Sequence, residues 1–387
     1  MGASSLDSGV EGRLKARAAA GLGAIELDNT HPALRRAWHP VAWSAAVADT
    51  PVKVWLLGQP YVVVRINDEL TVLEDECPHR LAPLSAGRVV GGVLECAYHG
   101  WQFAPGGQCV AIPSLGGSGR IPPRARCAAP YGVSERYGLV FVAPEEPIVP
   151  LPEIEAYGEP ERVRVDCEPF TGEFGAAFLI DNQLDMAHFA FVHRNTFGTV
   201  EAAEAPSYEV EREPWGFTVD ADIAIAASND PGVELGERPL EQYRRMHYHY
   251  RAPFHVELRL DYPVMGGSTV ITFFVQPETT TRSTMYVTLL FAQPGGFTDE
   301  ALEERVAFEY RVIGEDLALQ TRFDVTGFPL ELTRECHVRA DRASVEYRRL
   351  LRALTEHPVL SALDGPATGT ASGNETGIRR RVGAFGG

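Results

Sequence analysis

No run of eighteen apolar residues occurs in this 387-residue chain, so it offers no candidate membrane-spanning helix. Basic residues are outnumbered: 35 Lys and Arg stand against 52 Asp and Glu, a formal charge of −17. Nucleic acid calls for basic patches, and this balance argues against such a partner. An acidic surface serves solubility first and the steering of a basic redox partner second. Cysteine is sparse, six in all, and the first residues (Arg13, Lys15 and Arg17 among Asp7 and Glu11) precede no apolar core of a signal. Thiols or metal ligands in a cytoplasmic protein are therefore expected, rather than disulfides. The Gly-x-Gly-x-x-Gly fingerprint is missing too, so a dinucleotide is not expected on this chain. Internal repeats are likewise absent.

What is present is an ordinary globular composition, 45% hydrophobic and 22% charged, long enough for two or three domains. Short β-rich runs fill the first part: Val52 to Leu57, Tyr61 to Arg65 and Leu70 to Glu74. Gly58-Gln59-Pro60 and Asn67-Asp68-Glu69 separate them as turns. Two short motifs interrupt this small antiparallel β domain, Cys77-Pro78-His79-Arg80 and Cys96-Ala97-Tyr98-His99-Gly100-Trp101. Each supplies one sulfur and one imidazole from a tight turn that Pro78 or Gly100 can shape. Two thiolates with two imidazoles suit tetrahedral zinc, or a [2Fe–2S] cluster with Cys on one iron and His on the other. Tyr137 to Val142 reads as the last strand. The Pro-rich Ala143-Pro144-Glu145-Glu146-Pro147, with Pro150 and Pro152, reads as a stiff connector.

Beyond it lies Asp181-Asn182-Gln183-Leu184-Asp185-Met186-Ala187-His188-Phe189-Ala190-Phe191-Val192-His193. On a helix Asn182, Asp185 and His188 share one face, while His193 sits about 140° away from His188. Both imidazoles can meet one ion only if the helix bends or ends between Phe189 and Val192. Two His and a carboxylate would form a facial triad with open positions on non-haem Fe(II). A buried helix whose His and Asp satisfy local hydrogen bonds is the plainer reading.

The paired Cys/His motifs resemble the cluster loops of Rieske non-haem iron oxygenases, specifically the type without a small β subunit, similar to vanillate O-demethylases and pheophorbide a oxygenase-like enzymes. The resemblance spans roughly residues 35–325. It implies that Cys77 and Cys96 bind one iron of the cluster and His79 and His99 the other. Ala82 and Tyr98 stand where respiratory Rieske proteins carry a loop-bridging disulfide, so a potential toward about −150 mV is implied. Cys109, Cys127, Cys167 and Cys336 lack ligand-like spacing and are expected to be small buried thiols. Asn182-x-x-Asp185-x-x-His188-x4-His193 is similar to the family's mononuclear iron motif, which makes His188 and His193 iron ligands. Asp185 would accept a hydrogen bond from His188 and link it to His99 of a neighbouring subunit. Asn182 would face the open side of the iron.

The resemblance places a third ligand, an Asp, on a late helix. Residues Thr298 to Phe323 form the strongest helical stretch, with Thr298 as N-cap and an apolar stripe of Leu302, Val306, Tyr310, Ile313 and Leu317. Asp316 at the stripe's edge is the candidate and Asp324 the reserve. The alternative makes Glu309, Glu315 and Asp316 a solvated face. Strand-like runs at Tyr208–Val210, Phe217–Ile225, Tyr243–Tyr250, Val256–Leu260, Ser268–Val275 and Thr284–Phe291 predict one large antiparallel sheet covered by helices. His247 and His249 share one strand face, and surface or packing is favoured over a place in the pocket. Residues 343–357 suggest another helix.

The expected fold is α+β: an N-terminal extension (1–32), a Rieske domain (33–150), a helix-grip-like catalytic domain (151–362) and a disordered tail (363–387). The expected activity is that of a terminal oxygenase taking electrons from a separate reductase or ferredoxin, ultimately from NAD(P)H. Monooxygenation of an apolar ring compound leads, as hydroxylation, demethylation or ring closure; cis-dihydroxylation follows. An electron carrier and a hydrophobic-ligand binding module are the readings from other classes. Phe178, Met186, Phe189, Phe191, Phe273 and Phe274 are the pocket candidates, with no paired Arg to clamp a carboxylate. A head-to-tail homotrimer is implied by the resemblance.

Overall fold

The computed structural model of the chain describes residues 26–357, apart from 117, 118, 228, 229 and 326. The expectations for Met1–Gly23 and for the tail from Asp364 lie outside the described residues.

The first part is built from short antiparallel strands. β1 (Glu26–Leu27) stands apart; β2 (His39–Trp43) later joins the hairpin of β10 (Gly132–Arg136) and β11 (Leu139–Ala143). Between them come β3 (Val52–Leu56), β4 (Gln59–Ile66) and β5 (Glu69–Glu74) as one sheet. A second sheet holds β6 (Arg88–Val90), β7 (Val93–Glu95), β8 (Gln102–Phe103) and β9 (Cys109–Ala111). Tyr137 does not begin the last strand. It and Gly138 both have positive φ (56° and 72°), so they form the tight turn that joins β10 to β11.

Five of the six strand-like runs of the second part are strands of one sheet, and the first, Tyr208–Val210, meets it only at Val210. β12 (Val163–Asp166) and β13 (Phe170–Glu173) pair with β19, and β14 (Val210–Glu213) forms the far edge. Between lie β15 (Gly216–Ala226), β16 (Glu241–Arg251), β17 (His255–Asp261), β18 (Ser268–Pro277) and β19 (Arg282–Ala292), each antiparallel to the next. β12 and β13 were not expected. They are four residues each, with polar residues at alternate positions, and give little hydrophobic signal.

Besides a single turn at Pro231–Glu234, the helices that frame the second part are α1 (Ala176–Leu184), α2 (Phe189–Val192), α3 (Asp299–Gln320) and α4 (Arg342–Thr355). α1 lies across β17, β18 and β19 and touches α3 and α4. Thr298 caps α3 as expected, its hydroxyl accepting from the Ala301 N–H at 3.2 Å. The opposite sheet face packs on the first part, where Phe274 meets Phe141 and Tyr286 meets Trp43 edge to face. Those residues form one cluster at the seam, and a larger apolar core also runs through both parts, from Leu34 and Val140 to Val256 and Phe291. Residues 26–32 are folded rather than a free extension. Glu26–Leu27 pairs with Phe328–Pro329, called β20, and buried Asn29 donates to Ser283. A two-residue strand carries no periodicity to betray it.

Candidate metal centres

The two Cys/His loops close in the same way. Leu81 N–H donates to Cys77 C=O and Cys77 N–H to Ala82 C=O, both at 2.9 Å. In the second loop Gly100 N–H donates to Cys96 C=O at 3.0 Å and Cys96 N–H to Trp101 C=O at 2.8 Å. Both loops turn through a left-handed residue four places after the Cys, Leu81 at φ 58° and Gly100 at φ 68°. Leu there is strained, Gly is not.

The thiols of Cys77 and Cys96 point inward, each residue 2% exposed, while His99 is exposed. The His79 and His99 rings meet at 4.5 Å, and His79 stacks on Trp101 at 4.5 Å. His79 Nδ1 is buried without a hydrogen-bond partner. Burial pushes the Cys77 thiol up to about 11, with the neighbouring Cys96 adding to it. Two buried thiols beside an orphaned imidazole nitrogen fit metal ligation, since a cation is what would make thiolates stable there. Cys109, Cys127 and Cys167 are buried thiols as expected; Cys336 is exposed, contrary to expectation.

The second centre begins where α1 stops. Asp185 is its C-cap in an extended conformation (φ −88°, ψ 131°), so the break spans Asp185 to His188 and precedes Phe189, earlier than expected. α2 then turns back, and both imidazoles face one point. His188 Nε2 lies 3.1 Å from His193 Nε2, and each lies 3.3 Å from Asp316 Oδ1. Ligand atoms about 2.1 Å from a first-row ion and at right angles would be about 3.0 Å apart, close to this triangle.

Each imidazole is held from behind by a carboxylate. His188 Nδ1 meets Asp185 Oδ2 at 3.3 Å, and His193 Nδ1 meets Glu315 Oε2 at 2.9 Å. Thr196 also donates to Glu315 Oε2, at 2.8 Å. With Nδ1–H donating outward, both Nε2 atoms turn lone pairs toward Asp316 Oδ1, which is buried and has no hydrogen-bond partner. Three acceptors this close repel unless positive charge sits among them. Burial alone would lower the His188 imidazole, yet Asp185 and Asp316 together carry it up to about 9. Burial would raise the Asp316 carboxyl, but the two imidazoles hold it well below the usual carboxylate range. The donor set fits a divalent ion.

Asp316 therefore joins the His pair, and exposed Asp324, beyond the end of α3, does not. Glu309 and Asp316 are not a solvated face: with Ile313 and Gln320 they form the most buried side of α3. Glu315 was the larger omission. Its position directly before Asp316 gave no sign that it would reach His193.

A cavity beside the triangle is lined by Asn182, Phe189, Arg244, Tyr248, Phe273, Phe308 and Glu309, among others. Its open space is about 50 Å³, so a ring-sized ligand requires the lining to part. Phe189 and Phe273 are the pocket candidates found there. Phe178 instead packs edge-on against Phe323 and Phe328, and Phe191 is exposed. Met186 is buried in a neighbouring hollow that shares Phe189 and Phe197 with the cavity. Phe274 faces the other way, against His255 and Phe141, because successive strand residues point to opposite faces. The same alternation puts His247 and His249 outside, beside Asp220 and Glu213, and turns Arg244 and Tyr248 inward. Asn182 accepts from Gln320 at 3.1 Å and leaves its buried Nδ2 without a partner.

Comparison with known proteins agrees with both centres. Residues 37–123 match the Rieske [2Fe-2S] domain, and residues 175–357 match the vanillate O-demethylase oxygenase C-terminal domain. The chain belongs to the Rieske non-haem iron oxygenases. Among relatives of this oxygenase, the methylxanthine N1-demethylase NdmA of Pseudomonas putida is 29% identical over 333 residues, 84% of this chain and 90% of that one. TsaM1 of Comamonas testosteroni, the iron–sulfur subunit of a toluene-4-sulfonate monooxygenase system, is 34% identical over 47% of this chain and 53% of its own. The structure of NdmA with caffeine superposes with a TM-score of 0.75 at 27% identity, covering 85% of this chain and 93% of that one. The oxygenase is thus a terminal component that works with a separate reductase or ferredoxin, and its Rieske domain is of the [2Fe–2S] kind. Among the described residues no helix is long and apolar enough to cross a membrane.

Proposed function

We propose that this oxygenase monooxygenates an apolar, ring-containing substrate at Fe(II) held by His188, His193 and Asp316. The observation that carries the reading is the convergence of those three donor atoms at 3.1–3.3 Å, on a chain that also carries the Cys/His loops. In this reading Cys77 and Cys96 bind one cluster iron, His79 and His99 the other. The mononuclear iron would offer open positions for oxygen beside the substrate, and the cluster would pass electrons one at a time. Asp185 and Glu315 orient the imidazoles and keep their Nδ1 protons turned outward. Asn182, Phe189 and Phe273 shape the space where the substrate rests.

Electrons would start from NAD(P)H on the partner reductase. Exposed His99 and the part-exposed Asp185 carboxylate favour a contact between subunits, hence a head-to-tail trimer, in the cytoplasm. Domain limits at 33, 151 and 362 go with this reading. Demethylation is the leading form of the reaction, since NdmA is named for it at 29% identity; cis-dihydroxylation by the same ligands is the alternative.

The test is mass spectrometry of products from candidate ring compounds, with labelled O2 and a surrogate reductase. One labelled oxygen per product, or formaldehyde from a methylated substrate, supports the proposal. Two labelled oxygens in a cis-diol would replace it with dihydroxylation. Ligand binding without O2 consumption, or cluster redox cycling without a third iron, would point to the binding-module or carrier reading.

A further inference from the structure

Arg244 sits on the inward face of β16 and is 5% exposed. Among the described residues no carboxylate comes within ion-pair distance of it. Its Nη2 reaches only the sulfur of Met246, at 3.8 Å, and its Nε is buried with no partner. Another buried arginine shows what satisfaction looks like: Arg348 is gripped by Asp181 at 2.9 Å and by Glu335 at 2.8 Å. A buried cation without a partner is costly, so something must supply the missing charge.

The place of Arg244 says what that something is. Its guanidinium lies 4.4 Å over Phe197 and 5.9 Å over Phe189, and Phe197 in turn stacks on the His193 ring at 4.9 Å. The cation therefore lines the same cavity as the His188, His193 and Asp316 donors, one aromatic ring away from them. Glu309 lines that cavity too and burial pushes its carboxyl up against the pull of Arg305 and Arg244, but it makes no hydrogen bond or ion pair with the Arg244 guanidinium among the described residues. Tyr248, four residues along the same strand face, has a buried hydroxyl with no partner.

We propose that Arg244 is a specificity-determining residue that pairs with a carboxylate on an aromatic substrate, the substrate's ring resting against Phe189 and Phe273 and Tyr248 supplying a further hydrogen bond. The Nε–Nη2 edge of the guanidinium matches a carboxylate's two oxygens. The expectation that no paired Arg near the pocket candidates clamps a carboxylate did not weigh a single buried arginine, Arg244, which lines the cavity. Arg244 comes from a strand more than fifty residues later in the chain. The inference rests on the proposed function for the cavity's role as substrate site, and narrows the substrate to an apolar aromatic ring that carries one carboxylate.

The experiment is calorimetric titration of the full-length enzyme with benzoate and 2-naphthoate, each against its primary amide. The acid of at least one pair should bind tenfold or more tighter than its amide. In Arg244→Met that preference should vanish, and the ligand-free melting temperature should rise because an unpaired cation has left the interior. Arg244→Lys should keep part of the preference. Equal binding of acid and amide, no binding of any probe, a preference that survives Arg244→Met, or a lower melting temperature in that variant would each overturn the inference. These readouts need no turnover. A chain that binds acids through Arg244 yet holds no third iron would sink the proposed function and leave only the carboxylate-binding role of Arg244 standing.

Discussion

The two centres are made in opposite ways. The Cys/His loops are local: each ligand pair lies within four residues, and each loop closes on itself through the same two backbone hydrogen bonds. The second centre is assembled by the tertiary fold. His188 and His193 flank α2, while Asp316 and Glu315 arrive on α3 more than a hundred residues later. The lesson is that one centre can be lost without the other. A loop stands or falls by its own residues, whereas the His–His–Asp triangle depends on how α3 packs against the break after α1.

The sharpest way to break that contrast is to delete ligands one centre at a time. His188→Ala should abolish product formation, a loss exceeding the roughly 10–100-fold expected of outer partners, while the visible and EPR signature of the cluster stays intact. Cys77→Ala should bleach the cluster and leave mononuclear iron detectable by its ferrous nitric-oxide adduct. If either change empties both centres, they are not independent.

A smaller effect is expected one layer out. Glu315→Gln keeps the shape but weakens the acceptor behind His193, and iron affinity should fall by about 10–100-fold in chelator competition. Unchanged affinity would mean that Glu315 merely fills space. Asp185→Asn should retain the cluster and mononuclear iron yet lower the product formation rate by about tenfold or more. Product formation at the parent rate would count against any role for Asp185 in relaying electrons.

The smallest effects test the likeness of the two loops. Gly100→Ala forces a side chain into φ 68°, with its Cβ 3.3 Å from Pro113 Cγ, and should cost about 1–2 kcal/mol of stability. Leu81→Gly relieves φ 58° but loosens the unfolded chain, so a change within a few tenths of a kcal/mol is expected from denaturation midpoints. Equal penalties for both would show that the loops are not equivalent.

How much of this could be read from the sequence follows the same division. The Cys/His loops were legible because tight spacing is itself the geometry. The strands of the large sheet were legible because alternation survives in runs such as Tyr243 to Tyr250, and α3 because Thr298 and its stripe mark a helix start and face. Asp316 could be picked only as an acid beside apolar neighbours. The cavity was the least legible part. Phe273 and Phe274 cannot both face it, because neighbouring strand residues point to opposite faces of the sheet. Phe178, Met186 and Phe191 lie near His188 in sequence, and a broken helix does not preserve that nearness in space. Arg244, Tyr248 and Glu315 reach the site only through strand register and helix packing, which local patterns do not encode.

The most direct test of the central claim is metal and sulfide analysis of anaerobically purified protein, wild type beside Asp316→Ala. Three irons and two acid-labile sulfides per chain are predicted for the wild type, and two irons with two sulfides for the variant. Two irons in the wild type, or three retained in the variant, would contradict the account.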